Sequence, residues 1–152
     1  MKLIQPSVEI LSNSDPYKMI EIAGRTCYKS EDKITEDSCK EFVQRMISNG
    51  HTAMLEHGTI YLTIPFDDWI RNLYTWSAMF PEGCPWIKRN SDSSNIYITT
   101  NERHIIENNI MPETVTYMCK PTEYHYKRVS VRFICDRGVS HELVRHKKLC
   151  VT

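Results

Sequence analysis

Residues 127–150 read KRVSVRFICDRGVSHELVRHKKLC, and two different periods meet inside that stretch. From Lys127 to Cys135, Val129, Val131, Phe133 and Cys135 alternate with Arg128, Ser130 and Arg132. That is the period-two pattern of a strand with one apolar face. From Asp136 the period lengthens. Val139, Leu143, His146 and Cys150 share one helical stripe, Glu142, Arg145 and Leu149 the next, and His141 and Lys148 lie roughly opposite. The segment predicts a strand, the best in the chain, running straight into a helix over Asp136–Cys150. On that helix His146 is expected to point inward, with Arg145 at its flank and Glu142 within reach of both. The spacing fits equally well a core histidine beside an i,i+3 ion pair, with Lys147 and Lys148 solvated in a last turn that the helix dipole favours.

Working outward, residues 2–11 include a strand. Asp15-Pro16 reads as the cap and first position of a helix reaching about Tyr28, with Ile20, Ala23 and Cys27 on its apolar stripe. Thr35 is expected to cap a second helix with Glu36 and Asp37 in its first turn. Its core face is Cys39, Phe42, Val43 and Met46, and Asn49-Gly50 ends it. Thr59–Ile64 alternates as a strand, with Ile60, Leu62 and Ile64 on one face. Residues 65–95 are the least regular. An aromatic helix is expected near 67–79, then a loop through the polar run Asn90–Asn95, a short strand over Ile96–Thr99, and a helix capped by Thr100 or Asn101 and ending near Asn109. The predicted class is α+β, with a mostly antiparallel sheet and helices packed on it.

The chain has 152 residues, the size of one domain, with 41% apolar and 25% charged residues. Eight Tyr, four Phe and three Trp exclude a disordered chain. No apolar run approaches the ~20 residues of a membrane span, and MKLIQPSVEI holds no signal-peptide core before Pro6. The expected compartment is the cytoplasm. Net charge is zero, yet residues 124–152 carry seven Lys and Arg against Asp136 and Glu142, and half of the six His. A basic, histidine-rich end on a neutral chain points to a local anion site rather than a nucleic-acid surface. The six Cys lie at 27, 39, 84, 119, 135 and 150 without a CxxC pair, and are expected to be free and mostly buried.

Two stretches come close to zinc motifs and miss. His141 and His146 are separated by i,i+5, about 140° apart on a helix, where HExxH needs i,i+4. His51…Glu56-His57 has its first histidine two residues too early for HxxEH. No metal site is expected. The stretch Gly50-His51-Thr52-Ala53-Met54-Leu55-Glu56-His57-Gly58 remains notable: a helix-stop glycine, then two His and a Glu before a strand. It reads either as a connector bonding its own backbone or as a functional loop on a rigid frame.

Three motifs in order resemble those of the flavin-dependent thymidylate synthases, or thymidylate synthase complementing proteins. Ala23-Gly24-Arg25-Thr26-Cys27-Tyr28 is similar to the family's helix end with Arg-x-x-aromatic. Gly50-His51 and Glu56-His57 are similar to its Gly-His…Glu-His loop. Phe133–Lys147 is similar to its strand leading into a helix with Arg-His-Arg. The resemblance covers about residues 1–64 and 125–152 of a single domain, with an insertion at about 65–124, and implies the N-terminal part of that family's fold. It implies methylation of deoxyuridine monophosphate (dUMP) to thymidylate with methylenetetrahydrofolate, a hydride from reduced FAD and NADPH as reductant, in a homotetramer whose sites draw on several subunits. No membrane or nucleic-acid partner is implied. Carried over, His51 is the catalytic candidate beside flavin and folate. Ala53, Arg145, His146 and Lys147 are the FAD-binding candidates, and Glu142, Leu143, Val144 and Arg145 the dUMP-binding ones.

The sequence departs from the family pattern at Lys147, which stands where the family has a third Arg, and at Glu142, where some members have Gln. Only five residues follow Lys147, so the family's later phosphate-binding Ser and Arg have no counterpart. On this reading the chain is truncated and impaired or inactive in turnover. The alternative is a non-catalytic flavin- or nucleotide-binding remnant, or an oligomerising structural fragment.

Overall fold

The computed structural model describes residues 5–11, 15–143 and 145. Strand β1 (Ser7–Leu11) precedes helix α1 (Pro16–Cys27). The Asp15 carboxylate accepts from the Tyr17 and Lys18 amides, and Pro16 opens the helix where its missing N–H costs nothing. Helix α2 (Ser38–Ser48) begins two residues later than a Thr35 cap predicts. The reason is local. The Thr35 amide donates to the Ser38 hydroxyl at 2.9 Å, so residues 35–37 form a turn before the helix rather than its first turn.

The end of α2 sets the position of the loop that follows. Gly50 takes φ +69°, its amide donates to the Ile47 carbonyl at 3.0 Å, and the His51 amide donates to the Met46 carbonyl at 2.9 Å. These are the two bonds of a Schellman motif, which needs a left-handed residue where Gly50 stands. A 310 turn over Thr52–His57 then leads into β2 (Thr59–Pro65). Ile20, Phe42, Val43, Met46 and Leu55 bury together between α1, α2 and this turn. Gly24 permits the contact: a Cβ there would lie 2.6 Å from the Phe42 ring.

Residues after β2 build a second core on its apolar face. Helices α3 (Phe66–Arg71) and α4 (Leu73–Met79) replace the single helix expected over 67–79, breaking at Asn72. Trp69 and Trp76 stack with ring centroids 6.2 Å apart. The polar run expected as a loop contains the second half of β3 (Lys88–Ser91) and the tight turn into β4 (Asn95–Asn101). Asp92 closes that turn by accepting from the Ser94 and Asn95 amides and the Tyr97 hydroxyl, each at 2.7 Å. The sheet order is β2-β4-β3, antiparallel throughout, with Leu62 opposite Ile98. Ile60, Leu62 and Ile64 are buried as the alternation predicts. Helix α5 (Glu102–Glu107) is capped by the Asn101 side chain, which accepts from the His104 amide, and the short α6 (Met111–Thr114) follows.

Strand β5 (Ser130–Ile134) pairs antiparallel with β1 in a separate two-stranded sheet. The alternation in 127–135 is real but does not mark the core. Val8, Ile10, Val131 and Phe133 form one cross-strand face and are 67%, 69%, 37% and 48% exposed. The best-patterned strand is therefore an exposed ribbon, and the buried strands are β2 and β4. Helix α7 (Arg137–Leu143) follows, and Val139 is also exposed, so the stripe expected to face inward does not do so at Val139. The rest of the helix expected through Cys150 lies outside the described residues, apart from Arg145 in a turn. The class is α+β with antiparallel sheets and packed helices, as the sequence indicates.

Candidate active site

Helices α1 and α2 and the Gly-His loop enclose an open cleft of about 660 Å³, within the usual size range of small-molecule sites. Arg25, Tyr28, Lys33, Arg45, Asn49 and His51 line it, with Glu41 its acidic side chain. The structure thus joins two motifs that lie more than twenty residues apart in sequence. The Arg-x-x-aromatic end of α1 and the Gly-His loop face one space, and the Tyr28 hydroxyl lies 3.4 Å from His51 Nδ1.

Each cationic side chain has a physical reason for its place. Arg25 is buried and donates from Nε to Glu21 Oε1 at 2.8 Å. Glu21 also accepts from the Ser38 hydroxyl at 2.9 Å, so the buried carboxylate has two partners. Arg25 and Arg45 both lie over the Phe42 ring, at 5.0 Å and 5.4 Å from its centroid. Both guanidiniums lie against the one aromatic ring, which brings like charges together at the wall of the cleft. The arrangement suits a ligand with phosphate oxygens and a ring system, since guanidinium groups grip phosphate with paired bonds and the half-exposed Tyr28 ring offers a flat surface.

The other predicted site residues fall elsewhere. Ala53 is exposed in the 310 turn. Leu143 is the last residue of α7. Glu142 and Arg145 pair with each other at 3.1 Å, both 73% exposed, and neither lines the cleft. Val144, His146 and Lys147 lie outside the described residues. Arg25, Tyr28, Lys33 and Arg45 were not singled out as site residues by spacing. The Glu21–Arg25 pair at i,i+4 was the available signal for a buried arginine, but such pairs are usually on solvated faces.

His57 is partly buried, and burial lowers its pKa below the ordinary value of 6.5, with Glu56 opposing. A second histidine, His125, stands 3.9 Å from the Cys119 thiol. Its Nδ1 accepts from the Thr122 amide at 3.0 Å, so its proton is on Nε2, which donates to the Leu62 carbonyl at 3.0 Å. That tautomer cannot take a proton from Cys119, and the pair is not an activated nucleophile. The five described cysteines are free, and of these only Cys39 is buried, against the expectation of mostly buried thiols. Among the described residues no group of three or more His, Cys, Asp or Glu is placed to hold a metal ion, and no helix is long and apolar enough to cross a membrane.

Fold and site together define a small α+β protein with a cationic, ring-walled cleft between two helices and a histidine loop. The sequence model of the family described as thymidylate synthase complementing protein matches residues 9–67, a stretch that runs from β1 to the start of α3 and contains every residue of the cleft. The match spans 59 of the 152 residues. No curated protein and no solved structure matches it.

Proposed function

We propose that the chain acts in flavin-dependent methylation of dUMP to thymidylate, with the cleft between α1, α2 and the Gly-His loop as its FAD-binding side. The observation that carries this reading is the meeting of Arg25, Tyr28 and His51 in one cationic cleft inside the family-matched stretch. Arg25, Lys33 and Arg45 would hold the phosphates, and Ala53 would approach the flavin from the exposed turn. Reduced flavin, when bound, supplies the hydride that completes the methyl group. The Tyr28 hydroxyl, 3.4 Å from Nδ1, would orient the His51 ring so that Nε2 is presented to the ligand. NADPH and methylenetetrahydrofolate are the proposed co-substrates.

The dUMP site is proposed at Glu142, Leu143, Val144 and Arg145, with Arg145, His146 and Lys147 also reaching the FAD. The Glu142–Arg145 pair is exposed, and such pairs are worth only about 0.2–1 kcal/mol, so Arg145 can exchange Glu142 for a phosphate at little cost. Because Arg145 does not line the cleft of its own chain, the complete site is proposed to form between subunits of a homo-oligomer. The exposed apolar face of β1 and β5 supports self-association. The assay is tritium release from C5-labelled dUMP with methylenetetrahydrofolate, FAD and NADPH. Release above a no-enzyme control is expected, with a loss of about tenfold or more in His51→Ala, the scale of one hydrogen bond at a polar site. Release equal to the control overturns the proposal.

A further inference from the structure

The turn that carries the candidate loop is tied at both ends to a helix outside the family-matched stretch. Arg103, in α5, donates from Nη1 to Glu56 Oε1 at 2.5 Å and from Nε to Glu107 Oε1 at 2.8 Å. The same Glu107 oxygen accepts from the Thr52 hydroxyl at 2.6 Å. Thr52 is the first residue of the 310 turn and Glu56 its next to last. One guanidinium therefore links both ends of the turn to α5, one of them directly and the other through Glu107. A third tie follows immediately, the Glu102 amide donating to the Gly58 carbonyl at 2.8 Å. The bond from Thr52 and the Arg103 guanidinium hold the Glu107 carboxyl below the usual carboxylate range.

We propose that Arg103 is a positioning residue: through Glu56 and Glu107 it fixes the turn after His51, and so sets His51 and Ala53 for ligand at the cleft. The inference rests on the reading of that cleft as a flavin site. Arg103 also balances charge. Without it, two carboxylates stand against the loop of a site meant for an anionic ligand. Lysine cannot replace it fully, because a point charge lacks the fork that spans Glu56 and Glu107 at once.

The experiment uses the full chain and three variants, Arg103→Ala, Arg103→Lys and Glu107→Gln. Amide hydrogen exchange over residues 52–58 and the Kd for FAD are both measured. Arg103→Ala is expected to speed exchange in the turn on the order of tenfold, the scale of losing two partly exposed ion pairs. It should weaken FAD binding by a similar factor, more at low salt than at high salt, while the amides of α2 and β2 keep their protection. Arg103→Lys should restore part of both effects. Glu107→Gln keeps the Glu56 contact and an acceptor for Thr52, and should loosen the Thr52 end alone, by less than Arg103→Ala, through the lost charge. Unchanged exchange in the turn of Arg103→Ala overturns the proposal. Faster exchange with unchanged FAD affinity overturns it too, because the turn would then be held for stability and not for the ligand. If the unaltered chain binds no FAD, the flavin reading fails separately from the exchange result.

Discussion

Arg25→Met tests the buried charge pair that builds the cleft wall. The Arg25 side chain is 10% exposed and that of Glu21 2%, with 2.8 Å between Nε and Oε1. Removing the guanidinium leaves Glu21 a buried carboxylate with the Ser38 hydroxyl as its remaining bond. Breaking one side of a buried pair costs about 3–5 kcal/mol, most of it the penalty of the stranded charge. Methionine keeps an apolar side chain of similar length beside Phe42, so the guanidinium–ring contact is the further loss. For a chain of this size each kcal/mol moves the melting midpoint by about 2–4 °C, so a drop of about 6–20 °C is expected. Adding Glu21→Gln removes the stranded charge and keeps an acceptor for Ser38. The double variant should recover most of the loss, giving a coupling of about 2 kcal/mol or more in a double-mutant cycle. Calorimetry without flavin reads this directly. A single variant within about 1 kcal/mol of the parent, or a double variant no better than the single, would refute the argument.

Gly24→Ala should destabilise by about 1–2 kcal/mol despite alanine's better helix propensity, because the new Cβ meets a Phe42 ring that two guanidiniums already contact; urea unfolding measures it. His125 is held neutral by burial, its pKa lowered below 6.5 with the Leu62 carbonyl opposing, while the unfolded chain takes up that proton from about pH 6.5 downward. Its contribution to stability is therefore full above pH 6.5 and lost as pH falls below it, and His125→Gln should flatten that part of the stability–pH curve. Glu102 has the opposite sign: burial raises its carboxyl above 4.5, with the Tyr17 hydroxyl opposing, so its contribution is full below 4.5 and lost as pH rises through the raised value. Glu102→Gln should then stabilise the protein at pH 7 and leave it unchanged well below pH 4.5 in chemical denaturation at the two pH values.

The elements that read correctly are those whose signals are local. Asp15-Pro16, Asn49-Gly50 and Asn101 each act through a bond or dihedral within a few residues, and each ends or begins its helix where the sequence indicates. Ile60, Leu62 and Ile64 read correctly because alternation reports a two-faced strand. Alternation does not say whether the apolar face is covered, and so Val129–Cys135 looked like core while forming an exposed ribbon. Lys88–Ser91 was illegible as a strand because its residues are polar and charged and its partner, β4, supplies the pattern. The break at Asn72 needed the stacking of Trp69 on Trp76. In the candidate cleft, His51 stood out beforehand through its motif. Lys33 and Arg45 did not, because they come to line one cleft only when α1, α2 and the turn between them pack together.

Flavin fluorescence titration of the purified chain tests the central claim most directly, since the cleft is proposed to hold FAD through Arg25, Lys33 and Arg45. The account predicts saturable binding that Lys33→Ala and Arg45→Ala each weaken by roughly tenfold or more, as expected from about 1.5–3 kcal/mol for a hydrogen bond to a charged group. Absence of binding, or binding that both substitutions leave unchanged, would contradict it.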